Sequence, residues 1–479
     1  MGVILILILL VVLLIPVILS SNGFTRWLQG TIGRSTGGQT NIGDLSVGWL
    51  KGVRVTDFRF RTENGWAQVD VGRITTQPSF RRLLRGTLAL DRTVIDQPRV
   101  AVDLRTRPAA TPKTTPSGGR RSSADPSGLS RINDLIVRDA SIQVTDKTGE
   151  TVSIADLDST VSIREPGSTS SFNVEMAVAQ ADTPGRILAS GQVTPDKKQG
   201  WNLKGTSGDL VVEVNDLDLS SVSPLLALAG IEIQTKGNLS ANLTSEIQDG
   251  QIKNLNAAVA GRKLDVTGEA LKGDRLQTNQ LNVRAALTQA ENVIKVDQLN
   301  VQTDWADLSA TGTVPTTARS MTELLESGSA YDLKGQFDIN LASLLSQIPN
   351  TVGVQEGMEI TGGRATGTIN TTTEAGRATV VAEAEVAALA GVVNDQKLSL
   401  SEPVLANLRL AADKDTTELE ALTVTAPFAT VKAAGDLKQI KYEGQVNLAA
   451  LKSELGPFIN LGPYGIAGQV AGQGQLSIQ

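Results

Sequence analysis

Histidine and cysteine are both absent from the 479 residues. Ser/His/Asp and Cys/His triads, zinc sites of Cys or His, CxxC redox pairs, Fe–S clusters and haem held by His or Cys are therefore excluded. None of the 18 lysines follows a serine by three positions, which removes the Ser–Lys nucleophile as well. What remains for chemistry is carboxylate. Asp216 and Asp218, or Glu383 and Glu385, are spaced to share an acid/base task or a metal if they face one cavity. The same spacing of two is what the solvent face of a strand or the entry to a helix produces. Gly468, Gly472 and Gly474 do not form a dinucleotide fingerprint, since no helical pattern follows them, and read as strand glycines at a bend. No calcium loop of EF-hand type is present. The expectation is a protein that is not an enzyme, with no catalytic residue, no metal and no cofactor.

The residues that must be positioned are apolar. Leu281, Val283, Ala285 and Leu287 alternate with Asn282, Arg284, Ala286 and Thr288, and Leu422, Val424, Ala426 and Phe428 alternate with Thr423, Thr425, Pro427 and Ala429. Period two is the signature of a strand with one apolar face. Such segments recur between turn signals at Lys147-Thr148-Gly149, Asp249-Gly250, Lys272-Gly273-Asp274 and Ala375-Gly376, which predicts antiparallel hairpins or a long meander. Hydrophobic residues make up 40% and glycines number 46, an apolar share normal for a folded chain. Aromatics number 16, too few for the stacking platforms of single-strand nucleic-acid binders, and no nucleic-acid partner is expected.

The N-terminus is different in kind. Gly2 to Leu19 is an uncharged apolar run of 18 residues, about 27 Å long as a helix and close to the thickness of a hydrocarbon core. A retained anchor and a cleaved signal peptide both contain such a run; the lack of a basic residue ahead of it favours the anchor, although Ser20 and Ser21 suit a cleavage site. Positive-inside counting places Arg26 and Arg34 toward the cytoplasm, whereas long domains are exported largely regardless of charge; export is the preferred reading. From Phe24 to Arg138 the net charge is +10, and from Asp139 onward it is −16. A basic base beside anionic headgroups and an ordinary Arg-rich surface both account for this polarity.

Residues Arg105 to Ser130 hold four of the 17 prolines among Gly, Ser and Thr and read as a flexible linker or insertion. Short helices are expected over Phe24 to Ile32, Ser79 to Leu84 and Met321 to Glu326. Three more form a repeat starting at Asp218, Asn340 and Asn447. Each opens on a capping residue, continues with Leu or Ile at helical spacing and is followed by a glycine-bearing strand start at Gly237, Gly363 or Gly468. A second phrase, strand–turn–strand, occurs at Leu299 to Val314 and again at Leu422 to Leu437.

These segments resemble the AsmA-like family, which includes TamB-type proteins and is related in architecture to chorein-type bridge-like lipid-transfer proteins. The resemblance runs from the apolar run through Ile42 to Leu45, Val53 to Phe60, Ser79 to Gly86 and Val94 to Val102. It resumes at Ile132 to Asp146, Val152 to Leu157 and the helix–glycine–strand repeats. It departs from the family in having no basic residue before the run, and in stopping on the strand Gln475 to Ile478, as a short or truncated member would. The resemblance implies a mainly β fold, an elongated curved antiparallel sheet (a repeating β-groove) with an N-terminal transmembrane helix and a few short helices. The parts would be an anchor (1–23), a basic β region (24–104), the linker (105–130) and a groove region (131–479). It further implies attachment to the inner membrane with the bulk in the periplasm, phospholipid acyl chains as cargo and an outer-membrane or envelope protein as partner. Leu281, Val283, Ala285, Leu287, Leu422, Val424 and Phe428 are then candidate groove residues. An ordinary sandwich core remains the alternative for these faces, and a non-catalytic envelope scaffold the alternative for function.

Overall fold

The computed structural model describes residues 20–36, 38–48, 51–78, 90–106, 132–179, 184–223, 233–290, 292–316, 332–374, 377–393, 395–412, 417–436, 439–456, 458 and 467–477. The apolar run Gly2–Leu19, the expected helices at Ser79 and Met321, and nearly all of the linker lie outside them. Among the described residues no helix is long and apolar enough to cross a membrane. The protein is mainly β, as the alternating patterns require, and divides into two units, 1–232 with 246–251 and 233–245 with 252–479.

The first unit opens with helix α1 (Asn22–Thr36) and continues through β1 (Gly38–Gly48), β2 (Gly52–Thr62), β3 (Ala67–Pro78), β4 (Leu90–Asp103), β5 (Ile132–Thr145), β6 (Thr151–Ser162), β7 (Ser170–Ala179), β8 (Gly185–Thr194) and β9 (Ser207–Asp218). Sequence neighbours pair, and all pairs are antiparallel except β4 and β5, which are parallel. The expected antiparallel order thus holds except at this one pair. A parallel pair needs a connection of a dozen residues or more to bring the chain back to the same end, and the stretch after Asp103 is long enough. Asp57, Gln97, Asp139 and Asp156 sit inside strands at φ 50°, 52°, 50° and 47°. Asp139 and Asp156 fall at the bulges between β5 and β6, whereas the register runs unchanged past Asp57 and Gln97; Asp tolerates the left-handed conformation better than most side chains. The Gln97 amide donates to Asp139 Oδ2 at 2.9 Å, joining two of them across the parallel pair.

The second unit holds β10 (Ile233–Gln248), β11 (Gln251–Gly268), β12 (Arg275–Ala290), β13 (Val293–Thr303), β14 (Ala306–Pro315) and β15 (Asp332–Asn340). Helices α2 (Leu341–Leu345) and α3 (Pro349–Val352) follow. Then come β16 (Met358–Glu374), β17 (Arg377–Val393), β18 (Gln396–Ser399), β19 (Val404–Ala412), β20 (Thr417–Ala426), β21 (Ala429–Asp436), β22 (Gln439–Asn447), α4 (Leu448–Glu454) and β23 (Gln469–Ser477). From β11 onward every described pair in this unit is antiparallel.

Two of the three expected helix starts open capped α-helices. Asn340 Oδ1 accepts from Ser343 N–H and Asn447 Oδ1 from Ala450 N–H, each at 3.0 Å, capping α2 and α4. Asp218 caps a single 3-10 turn, Leu219–Val222, through Ser220 N–H at 2.9 Å. The doubled strand–turn–strand phrase is two hairpins, β13–β14 and β20–β21, and each is tied to its helix by one backbone bond. The N–H of Asn340 donates to the Trp305 carbonyl, and that of Asn447 to the Phe428 carbonyl, both at 2.8 Å. A third copy of this tie joins Asp103 N–H to the Trp66 carbonyl at 2.8 Å. Its signal was in the chain all along: Trp66-Ala67, Trp305-Ala306 and Phe428-Ala429 each place an aromatic and an alanine at a strand start.

Candidate functional site

Directly opposed residues in a sheet project to the same face, so the register shows which side chains share a surface. Taken from β11 to β23 without β18, one cross-strand row reads Val259, Val283, Val301, Leu308, Phe337, Gly367, Ala384, Ala406, Val424, Val431, Gly444, Gly472. The row beside it reads Ala257, Ala285, Leu299, Ala310, Gly335, Ile369, Ala382, Leu408, Leu422, Ala433, Tyr442, Gly474. Neither row contains a charge. The candidates Val283 and Val424 stand in the first, Ala285 and Leu422 in the second. Leu281 and Leu287 flank them on β12.

The opposite face is polar. From β12 to β23 its matching row is Arg284, Asn300, Ser309, Gln336, Thr368, Glu383, Asn407, Thr423, Lys432, Glu443, Gln473. Glu383 and Glu385 belong here, exposed beside a shallow hollow that Asp307, Asp338 and Asn407 also line. Asp218 is occupied in capping, and Asp216 lies inside β9 at φ 47°. Among the described residues no group of three acidic side chains is placed to hold a metal ion. Gly468 precedes β23, and Gly472 and Gly474 lie within it, as strand glycines.

The two apolar rows are neither sealed nor fully open. Val283, Ala285, Leu422 and Val424 are half-buried, whereas Leu308 is 37% and Tyr442 40% exposed. True cores lie toward the strand ends. At the end carrying α2, α3 and α4, Met358, Ile360, Leu389, Leu400 and Phe458 are buried, and Leu341, Leu345 and Phe428 pack on them. Phe428, a candidate groove residue, is thus part of this edge cluster. At the other end Ala378, Val380 and Ala412 are buried against Ile369 and Leu410. Between the clusters the floor is made largely of alanine, glycine and valine, so the rows form a shallow apolar trough with bulkier walls.

The first unit repeats the scheme. A row through Leu45, Val55, Ile74, Ile95, Val137, Ser159, Val174, Ala189 and Val212 crosses all nine strands and is apolar but for one serine. Its sealed core is again at one strand end, with Leu104, Val144, Val152, Ile154, Val178 and Leu217 buried together.

Two carboxylates hold the edge of the second unit. Asp274, 5% exposed, accepts from Asn350 Nδ2 at 2.8 Å, Thr351 N–H at 2.5 Å and Thr351 Oγ1 at 2.8 Å, pinning the turn before β12 to α3. Burial pushes its carboxyl up, but these bonds outweigh burial and hold it below the ordinary carboxylate value. The Arg275 guanidinium holds Asp265 low against the same burial, with help from the Gln277 amide. Their partners are structural, and neither carboxylate belongs to the two trough rows.

No curated protein and no solved structure matches this chain. A family model described as YhdP protein matches residues 1–357 of the 479, taking in the first unit and the second as far as the start of β16. The chain belongs to the YhdP protein family.

Proposed function

We propose that this protein is a membrane-anchored, non-enzymatic carrier of the cell envelope that holds phospholipid acyl chains in its apolar trough and lets them slide along it. The observation that carries the reading is the pair of uncharged rows crossing twelve strands, half-exposed between buried edge clusters. A surface of that size must be covered by something apolar. Acyl chains suit it because burial is worth about 0.8 kcal/mol per methylene with no directional requirement, so a tail is held without being fixed at one point. The headgroup stays in water and no chemical step is needed. The apolar run Gly2–Leu19 supports anchoring at the inner membrane with both units in the periplasm, and the resemblance to AsmA-like proteins supports lipid movement or envelope assembly as the task. An outer-membrane or envelope protein would receive the cargo.

The test is lipid extraction from purified full-length protein, followed by photo-crosslinking from residue 283 or 424. Phospholipid recovered in stoichiometric amount and crosslinked from both positions is the expected result. Lipid-free protein, or crosslinks to protein alone, would replace the carrier with an envelope scaffold.

A further inference from the structure

Helix α1 and strand β1 meet where the apolar N-terminal run ends. The N–H of Val47 donates to the Ser20 hydroxyl at 2.8 Å, and the Gln29 amide donates to the Ile42 carbonyl at 3.3 Å and to Asn41 Oδ1 at 3.4 Å. Helix α1 therefore runs antiparallel along β1, with its first turn at the end of the strand that leads into β2. That end also carries Lys51, in the turn, and Arg54, whose register partner Ser46 is next to Val47. Both basic side chains are exposed.

The first turns of α1 add aromatic surface. Phe24 and Trp27 stack with ring centroids 5.4 Å apart, and Trp27 remains 58% exposed. Arg26 lies between them in sequence and is also exposed. An exposed indole with an aromatic partner and three basic residues thus gather within about two helical turns of the point where 18 uncharged apolar residues join the fold. Indoles favour the headgroup level of a bilayer, and nearby Lys and Arg are attracted to anionic lipid.

We infer that the first two turns of α1, with Lys51 and Arg54, form a collar that rests on anionic phospholipid headgroups and seats Trp27 among them. The inference rests on the membrane attachment proposed above and specifies the surface that receives it. In this arrangement the hydrogen bond to Ser20 transmits the position of the membrane to β1, so the first strand of the apolar face starts at the bilayer surface.

The test uses the full chain in vesicles of phosphatidylcholine alone or mixed with phosphatidylglycerol, made with and without lipids brominated near the glycerol end of their acyl chains. The Trp27 signal is the difference between the native chain and Trp27→Phe. In mixed vesicles brominated lipid should lower it by about twofold or more, and Lys51→Glu with Arg54→Glu should remove most of that quenching while leaving alkali-resistant insertion unchanged. Trp27 emission indifferent to bromine in a chain that resists alkaline extraction overturns the collar and leaves the anchor standing. Equal quenching in both vesicle types overturns the anionic assignment. A chain that binds neither vesicle overturns the collar and the anchor together.

Discussion

Phe337 on β15 is the register partner of Gly367 on β16, and its ring occupies the space above the glycine: a Cβ at residue 367 would stand 2.5 Å from Phe337 Cε1. Tyr442 and Gly474 repeat the arrangement on β22 and β23, where the added Cβ would meet the tyrosine hydroxyl at 2.6 Å. An aromatic paired with a cross-strand glycine fills the gap in the pleat. In this trough it places large apolar area on the floor without two opposed side chains rising into the path.

Gly367→Val should therefore displace the Phe337 ring and lower stability by about 1–3 kcal/mol, the usual cost of overpacking. Urea unfolding of Gly367→Val, Phe337→Ala and the double variant checks this. The double variant should lose less than the two single losses added, because removing the ring vacates the space that the valine needs. Strict additivity would show that the two residues do not compete for it.

The trough and the sealed cores should respond differently to one charge. Val152 is 0% exposed in the first unit's core, and Val152→Asp should cost several kcal/mol and unfold that unit. Val283 is half-buried in the trough, so Val283→Asp leaves the carboxylate much of its hydration and the β spectrum should survive. Co-purified phospholipid should fall, since a passing acyl chain would have to desolvate the charge. Circular dichroism and lipid phosphate assays on the two variants separate these outcomes; unfolding of both would mean that the trough is a core.

Acid should loosen the edge of the second unit. The folded-state pKa of Asp274 is held below the ordinary carboxylate value, so its bonds to Asn350 and Thr351 add stability at neutral pH, and that stability is lost as pH falls through the folded-state value. Asp265, lowered by Arg275, acts in the same direction. Asp274→Asn should lower the urea midpoint near neutral pH and flatten its decline below about pH 4. An undiminished acid decline in the variant would assign the effect to other groups.

The repeated caps should carry similar weights. Asn340→Ala and Asn447→Ala each remove one side-chain bond, to Ser343 N–H and Ala450 N–H, and should cost about 1 kcal/mol apiece. Their backbone bonds to Trp305 and Phe428 do not depend on the side chain and should persist. Hydrogen exchange should therefore speed up at the amides of residues 343 and 450 and stay slow at 340 and 447.

Much of this architecture was legible in local chemistry. Alternation at Leu281 to Leu287 marks a strand wherever it pairs, since the pleat alone sends successive side chains to opposite faces. Asp218, Asn340 and Asn447 announce caps because the bond spans only two or three residues. The tie between Trp66 and Asp103 has no comparable spacing signal in the sequence, since no capped helical pattern follows Asp103; only the aromatic–alanine pair Trp66-Ala67 marks it.

The amino-acid sequence by itself determined a mainly β chain without histidine or thiol chemistry, its hairpin phrases, its capped helices and an uncharged N-terminal run. Only the tertiary structure decided that Val283 and Val424 share one row although they are 141 positions apart, that Phe428 joins an edge cluster instead, and that β4 and β5 run parallel. The reason is that a row is the product of every pairing between its ends. The path from β12 to β20 crosses bulges at Ala286/Leu287, Val296/Leu299, Ile360/Gly362 and Arg409/Leu410, and a register slip of one residue at any of them would turn the later strands over. Local pattern says that each strand has an apolar face; the accumulated register makes those faces one surface.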